Sequence, residues 1–133
     1  MRQPRNVPMR AGTEFDLIRG LQERWGDLAV GLGDDAAVFA MPRGDDVVAS
    51  TDASVEGVHF RRDWLTPREI GYRAVTAALS DLAAMAARPI GVLVSLTLPQ
   101  QQQQEDMDGL ADGIGDAVRA AGAVIRGGNL SRG

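Results

Sequence analysis

The chain has 133 residues, 44% hydrophobic and 24% charged, which is enough for one globular domain with a hydrophobic core. Its net charge of −4 argues against a general nucleic-acid-binding protein, and no apolar run reaches the roughly 18 residues that a transmembrane helix needs. The absence of cysteine excludes disulfides and thiolate metal sites. We therefore expect no nucleic-acid partner, no membrane and a cytoplasmic location.

The N-terminus predicts a tail followed by a helix. Residues 1–12 are basic but lack the apolar segment of a secretory signal, so we interpret them as a flexible basic tail, with one domain over 13–133. Thr13 is a suitable N-cap residue. Apolar residues then recur at helical spacing, which predicts an amphipathic helix over about 14–25.

Three extended segments are predicted next. The apolar runs 36–41 and 46–51 are separated by the turn residues Pro42-Arg43-Gly44-Asp45, a pattern typical of a hairpin-like pair of strands. Residues 54–60 predict a third extended piece, which Gly57 interrupts.

The second half alternates helices and strands. Thr66-Pro67-Arg68-Glu69 is a capping box with proline at the first helical position, and Arg88-Pro89 ends the helix that it begins. We predict helices over 67–87 and 105–121, strands over 90–98 and 123–126, and a final loop over 127–133. The resulting order, α-β-β-β-α-β-α-β, predicts an α+β domain with a mixed β-sheet and helices packed on one face.

The carboxylates are unusual because they lie in or beside apolar segments. Asp34 and Asp35 follow a glycine-rich turn, Asp52 ends a predicted strand after Ser50 and Thr51, and Asp81 shares an alanine-rich helix face. Desolvating a carboxylate costs several kcal/mol unless a partner compensates. No lysine is present, so a hard divalent cation with oxygen ligands is the simplest partner, and Mg²⁺ is the natural choice.

Each acid also has an ordinary alternative. Asp34-Asp35 could be an acidic turn, Asp52 a strand-end cap, and Asp81 a buried carboxylate hydrogen-bonded to a loop. His59, the one histidine, is more often a packed polar residue than a catalyst at such a position, although it could contact a phosphate. The glycine pair before Asn129 is weak evidence for a phosphate-binding loop, and the sequence has no Walker A or GxGxxG motif.

Six segments, taken in order, resemble thiamine-monophosphate kinases, which belong to a wider superfamily that includes aminoimidazole ribonucleotide synthetase and selenophosphate synthetase. The segments are EFDLI at 14–18, GDDAAV at 33–38, STDASVEGVHF at 50–60, IGYRAVTAALSDLAAMAARP at 70–89, VSLTLP at 94–99 and GGNLSRG at 127–133.

The resemblance implies an activity, a fold and a set of site residues. The γ-phosphoryl group of ATP would pass to thiamine monophosphate in an in-line transfer at several Mg²⁺ ions, with no protein residue as the nucleophile. The fold would be like the aminoimidazole ribonucleotide synthetase N-terminal domain, and two copies would dimerise through their sheets. The implied metal ligands are Asp35, Ser50, Thr51, Asp52, Asp81 and Asn129, with Asp34 as a possible addition; His59 would contact the thiamine phosphate, and Gly128 and Asn129 the ATP phosphates.

Members of this family are roughly twice as long and have a second domain, which this sequence lacks. Two other functions therefore stay open: another ATP-using enzyme of the superfamily, or a non-catalytic Mg²⁺- and nucleotide-binding dimerisation module that supplies half a site. The stretch EGVHF at 56–60 and the absence of cysteine favour the thiamine phosphate kinase over selenophosphate chemistry.

Overall fold

The computed structural model describes residues 14–32, 36–101 and 103–133. In these ranges, α1 spans Glu14–Trp25 and runs into a short 3₁₀ helix at Gly26–Leu28, and α2 spans Pro67–Ala84. Strand β1 covers Val92–Leu98, α3 covers Gln104–Ala120, and β2 covers Ile125–Arg132. The predicted tail 1–12 and the N-cap Thr13 lie outside the described residues.

The start of α2 follows directly from its capping box. Thr66 Oγ1 accepts a hydrogen bond from the backbone N–H of Glu69 at 3.3 Å, and Glu69 Oε2 accepts one from the backbone N–H of Thr66 at 2.8 Å. The two bonds satisfy donors that the first helical turn would otherwise leave free. The backbone N–H of Thr66 and the Thr66 hydroxyl both donate to Glu69 Oε2 and lower the pKa of Glu69, because they stabilise its carboxylate form.

The two strands form a parallel pair that lies against the helices on one face. Val92, Val94, Leu96 and Leu98 point towards the core, whereas the alternate residues Leu93, Ser95 and Thr97 are exposed. Helices on one face of the sheet are therefore confirmed. The predicted mixed sheet is not seen in the described ranges, where the strand pairing is parallel.

The core lies between α1, α3 and this face of the sheet. Val118 and Ile125 are completely buried, and Trp25 packs beside them with its indole N–H donating to the carbonyl of Ala111 at 2.9 Å. Helix α2 crosses α3 very closely. A Cβ added to Gly71 or Gly113 would overlap backbone atoms of the other helix, so the missing side chains are what permit the crossing.

Two predictions of strand position are wrong. Residues 36–41 and 46–51 form no strand, and most of this segment is exposed because no described strand pairs with it. The predicted strand 123–126 and loop 127–133 also differ from the structure, since β2 continues to Arg132 through the glycine pair. Gly128, with φ of 156°, permits this continuation, because a Cβ there would overlap the carbonyl of Val94.

Candidate functional site

The centre of the candidate site is a contact between the exposed segment 36–51 and α2. Ser50 Oγ donates a hydrogen bond of 2.9 Å to Asp81 Oδ2. The two residues are 31 positions apart in sequence, and both belong to the predicted metal-ligand set. The structure therefore brings together one hydroxyl and one carboxylate that the sequence analysis placed on separate elements.

Asp52 and Asp81 are both exposed, which corrects the expectation that apolar surroundings would desolvate them. Asp81 lies near the C-terminal end of α2, on a face that is open to solvent rather than packed into the core. Among the described residues neither carboxylate forms an ion pair with an arginine. Their negative charge is therefore available to a cation from solution, although burial is not what makes a cation necessary.

The structure says less about the positions of the other predicted acidic ligands. Asp34 and Asp35 lie outside the described residues, so their position relative to Asp81 stays a prediction. Asp52 Oδ1 accepts a hydrogen bond from the backbone N–H of Ala53 at 2.8 Å, which leaves its other oxygen free for a ligand. Within the described ranges, no three acidic or histidine side chains are close enough to hold a metal ion.

His59 projects from a tight turn over residues 55–60. The backbone N–H of His59 donates to the carbonyl of Val55 at 2.8 Å, and Gly57, with φ of 81°, closes the turn by donating to the carbonyl of Phe60 at 2.8 Å. The imidazole Nδ1 accepts from the backbone N–H of Val55 at 3.1 Å. A neutral His59 therefore carries its proton on Nε2, where the exposed ring can donate to an anion.

An arginine bridge connects this turn to α3. Arg62 pairs with Glu56 at 3.2 Å and with Asp106 at 3.4 Å, so the turn is tied to the first turn of the helix. These groups are all substantially exposed, which limits the stabilising effect of each pair to at most about 1 kcal/mol. The sequence analysis missed this bridge, because the pairing partners are 44 residues apart.

Gly128 and Asn129 lie on β2, both exposed, in a strand rather than in the loop that the sequence predicted. Asn129 pairs in register with Ser95 of β1 and belongs to the exposed face of the sheet. Thr51, the remaining predicted ligand, is also exposed. The side chains of Thr51 and Asn129 form no hydrogen bond to another described residue, so their oxygens are open to a ligand.

A separate cavity lies at the other end of α2. Its volume is about 390 Å³, and its lining includes Leu65, Arg68, Tyr72 and Asp116. Arg68 already donates to Asp116 at 2.8 Å, so its charge is compensated. None of the predicted site residues lines this cavity, and we assign it no role in the site.

The described fold is a two-layer α+β domain, with helices covering one face of a parallel strand pair and polar side chains exposed around it. None of its helices combines the length and apolarity that crossing a bilayer requires, among the residues that the structure describes. The family model "AIR synthase related protein, N-terminal domain" matches residues 33–133. The chain belongs to this family.

Curated relatives make the similarity more specific. The chain is 40% identical over 100 residues to the thiamine-monophosphate kinase of Synechococcus elongatus, covering 75% of this chain and 31% of that protein. It is 38% identical over 122 residues to the thiamine-monophosphate kinase of Corynebacterium glutamicum, covering 90% of this chain and 36% of that protein. The chain thus spans about a third of the length of these relatives.

Solved structures agree with this similarity. The thiamine-monophosphate kinase of Stenotrophomonas maltophilia superposes with a TM-score of 0.68 at 30% identity, over 96% of this chain and 40% of that one. The enzyme of Aquifex aeolicus superposes with a TM-score of 0.56 at 31% identity, over 59% of this chain and 26% of that one. The resemblance predicted from the six sequence segments is confirmed.

Proposed function

We propose that this chain is the N-terminal, metal- and substrate-binding domain of an ATP-dependent kinase that converts thiamine monophosphate to thiamine diphosphate. The similarity to thiamine-monophosphate kinases over most of the chain supports the activity. The observation that carries the site is the bond between Ser50 and Asp81, which joins two predicted ligand segments. The domain would extend over 13–133, after a basic tail at 1–12, with a further domain completing the nucleotide site.

In the reaction, a phosphate oxygen of thiamine monophosphate attacks the γ-phosphorus of ATP, and the bond from that phosphorus to the β,γ-bridging oxygen breaks to release ADP. No protein base is required, because a phosphate monoester oxygen is already anionic near neutral pH. The exposed Nε2–H of His59 would hold the thiamine phosphate, while Gly128 and Asn129 would contact the ATP phosphates.

The donor set fits Mg²⁺, which prefers hard oxygen ligands. Asp52 and Asp81 would hold the ions together with Ser50, Thr51 and Asn129. Asp35, with Asp34 as an additional candidate, would contribute from outside the described residues. Mg²⁺ supplies positive charge that offsets the repulsion between the two phosphate groups. Ser50 would orient Asp81, because its hydroxyl already fixes one carboxylate oxygen and leaves the other to a ligand.

The exposed apolar side chains of residues 36–60 support a homodimer. Val38 is 80% exposed, Val58 is 75% exposed, and Val47 and Val48 are also exposed among the residues that the structure describes. Isolated extended segments with apolar side chains are stabilised by pairing with another strand. A second copy that contributes its own segment would extend the sheet and cover these residues; sedimentation velocity of the purified chain would detect the dimer, and a monomer at all concentrations would contradict it.

The activity is tested by measuring thiamine diphosphate formation from thiamine monophosphate and ATP, with Mg²⁺ or with EDTA. We expect Mg²⁺-dependent product that Asp81→Asn and Asp52→Asn each reduce by about 100-fold or more, since each removes a charged metal ligand. Asp45→Asn is the matched control, because it removes an equal charge from a turn of the same segment and should keep activity. Full activity of Asp81→Asn would refute the metal assignment.

One alternative function concerns the 133 residues tested by themselves. Under this alternative they would form a half-site that binds Mg²⁺ and nucleotide without turnover. Nucleotide titration separates the two: binding without product indicates the module, and binding with product indicates the kinase. Product from a different acceptor, with none from thiamine monophosphate, would indicate another enzyme of the superfamily.

A further inference from the structure

Arg126 occupies an irregular position at the start of β2. Val92 of β1 pairs with Ile125, but the next residue, Leu93, pairs with Gly127. Arg126 is therefore the extra residue of a β-bulge and has no partner on β1. Bulges redirect the side chain of the extra residue and are frequent beside binding sites.

The side chain of Arg126 is held in place by contacts from two other segments. Its guanidinium carbon lies 5.7 Å from the centroid of the Phe39 ring, within the range of a cation–π interaction. Gly91 lies against both side chains, since a Cβ at this position would be 2.8 Å from Phe39 Cε1 and 2.9 Å from Arg126 Cγ. The absence of a side chain at Gly91 thus lets the ring and the arginine stem pack together.

The charge of Arg126 is not compensated within the described residues. Its Nε atom is buried and has no hydrogen-bond partner. Three other arginines, by contrast, pair with an acid on another element: Arg24 with Asp112, Arg62 with Asp106, and Arg68 with Asp116. The terminal nitrogens of Arg126 are not among the buried unpaired atoms and have no hydrogen-bond partner among the described residues, so the uncompensated guanidinium is suited to an anion that arrives from outside the fold.

We infer that Arg126 binds a phosphate group of the nucleotide. The inference rests on the proposed function, because it assigns a further contact to the same nucleotide site. A guanidinium donates two parallel hydrogen bonds to phosphate oxygens, which a lysine cannot do. The nucleotide is favoured over thiamine monophosphate because Arg126 directly precedes Gly127, Gly128 and Asn129 on one strand, whereas His59 lies on a separate turn.

The topology places Arg126 at the same end of the domain as Asp81. Helix α2 ends at Ala84 and leads through residues 85–91 into β1, whose first residue pairs with Ile125. From Asp81, near the C-terminal end of α2, the chain therefore runs directly into the end of the sheet at which the bulge occurs. A phosphate bound to Arg126 would lie towards the carboxylates that the proposed function assigns to Mg²⁺.

The test measures binding rather than turnover. Equilibrium dialysis would give the affinities of the chain for Mg²⁺-ATP, for inorganic tripolyphosphate and for thiamine monophosphate, in the unmodified chain and in Arg126→Gln. We expect the variant to bind ATP and tripolyphosphate about 10- to 100-fold more weakly, the range for a lost hydrogen bond to a charged group. Arg132→Gln is the matched control, because it removes the same charge from the other end of β2, where Arg132 donates to the carbonyl of Gln100.

Two further variants keep the test independent of folding. Arg126→Lys retains the positive charge but loses the planar donor pair, so it should weaken ATP binding by less than Arg126→Gln does. Phe39→Leu removes the ring on which the guanidinium lies, and it should weaken ATP binding by a few-fold with the charge intact. Circular dichroism and thermal unfolding of each variant establish that the fold is retained.

Several results would overturn the inference. The first is unchanged ATP and tripolyphosphate affinity in Arg126→Gln, and the second is an equal loss in Arg132→Gln. The third is a loss of affinity for thiamine monophosphate alone, which would mean that Arg126 binds the phosphate of that substrate. Tighter Mg²⁺ binding with unchanged tripolyphosphate affinity would mean instead that Arg126 acts on a neighbouring carboxylate. Failure to bind either polyphosphate by the unmodified chain also overturns it.

The two hypotheses fail separately. Formation of thiamine diphosphate by a chain whose ATP affinity does not depend on Arg126 would leave the proposed function intact and refute the inference. ATP binding that depends on Arg126, together with no phosphorylation of thiamine monophosphate, would refute the thiamine phosphate activity and support the phosphate contact.

Discussion

Two regions of this domain differ sharply in how they are held. Residues 67–133 form α2, β1, α3 and β2, and they contain completely buried residues such as Val118 and Ile125. Residues 36–66 contain no helix or strand and expose large apolar side chains, including Val38, Val58 and Trp64. The packed region is stabilised by burial, whereas the open region is stabilised by turns and a few polar contacts.

The candidate site lies where these regions meet. Asp81 is carried by the packed region and Ser50 by the open one, and the same is true of Arg126 and Phe39. A rigid helix and strand therefore provide one half of each contact, while a segment that can adjust provides the other. This arrangement is suited to binding a ligand that orders the open segment on arrival.

The two regions should differ most in how much the free energy of unfolding falls when an apolar side chain is shortened to alanine. Ile125→Ala should lower the free energy of unfolding by about 3 kcal/mol, because it leaves a cavity in a fully buried position. Val38→Ala, at a position that is 80% exposed in a single copy, should change the free energy of unfolding of the monomer by less than about 0.5 kcal/mol. Urea denaturation followed by circular dichroism measures both; a similar cost for the two would show that Val38 is covered in solution, as a dimer would cover it.

The close crossing of α2 and α3 should be nearly as sensitive. Gly113→Ala should cost about 2–3 kcal/mol, because its Cβ would overlap the carbonyl of Arg68 and force the helices apart. Gly20→Ala is the control, since nothing lies within 4 Å of a Cβ there and alanine favours the helix by about 0.5–1 kcal/mol. Thermal unfolding of both variants should move in opposite directions; a stable Gly113→Ala protein would contradict the crossing.

The smallest predicted effect depends on pH. Arg24 Nε donates to Asp112 Oδ1 at 2.7 Å, and this bond lowers the pKa of Asp112 below its ordinary value of 3.8. Because the folded pKa is below the unfolded one, the stabilisation is present above about pH 4 and is lost as pH falls through the folded pKa. Both side chains are about a third exposed, so the effect should be at most about 1 kcal/mol.

Arg24→Gln tests this pair. At pH 7 the variant should unfold at a slightly lower urea concentration than the unmodified chain, and the difference should shrink below about pH 4 and disappear once Asp112 is protonated in the folded state, because its folded pKa is lowered. Arg43→Gln, which removes an arginine from an exposed turn, is the control. A difference for Arg24→Gln that persists unchanged at low pH would mean that lost packing, rather than charge, is responsible.

Local signals in the sequence were reliable where the structure depends on neighbours along the chain. The capping box begins α2 at Pro67 as predicted, and α3 begins and ends within one residue of its predicted bounds. The prediction of two strands over 36–51 is wrong because an apolar run beside a turn indicates only that a segment could pair, and no described strand pairs with it. The glycines at 127–128 were interpreted as a strand break, yet pairing with β1 carries the strand through them.

The candidate site shows the same difference between what local sequence signals predict and what contacts between distant residues decide. The sequence named Ser50, Asp81, His59 and Asn129 as site residues, and the structure brings Ser50 and Asp81 into direct contact. It also places Asp81 in solvent rather than in an apolar interior, because the face of α2 that carries it is not the face that packs on α3. Asp34 and Asp35 lie outside the described residues, so the complete cluster of acids stays a prediction.

The sequence by itself determined the start of α2, the bounds of α3 to within one residue and the resemblance to thiamine-monophosphate kinases, because these depend on residue types and on spacing along the chain; the end of α2, predicted at 87, lies at Ala84. Only the tertiary structure decided the parallel register, the glycine-dependent crossing of α2 and α3, and the bulge that directs Arg126 towards Phe39. The physical reason is distance along the chain: capping and helical periodicity act within a few residues, whereas strand pairing and helix crossing join residues tens of positions apart.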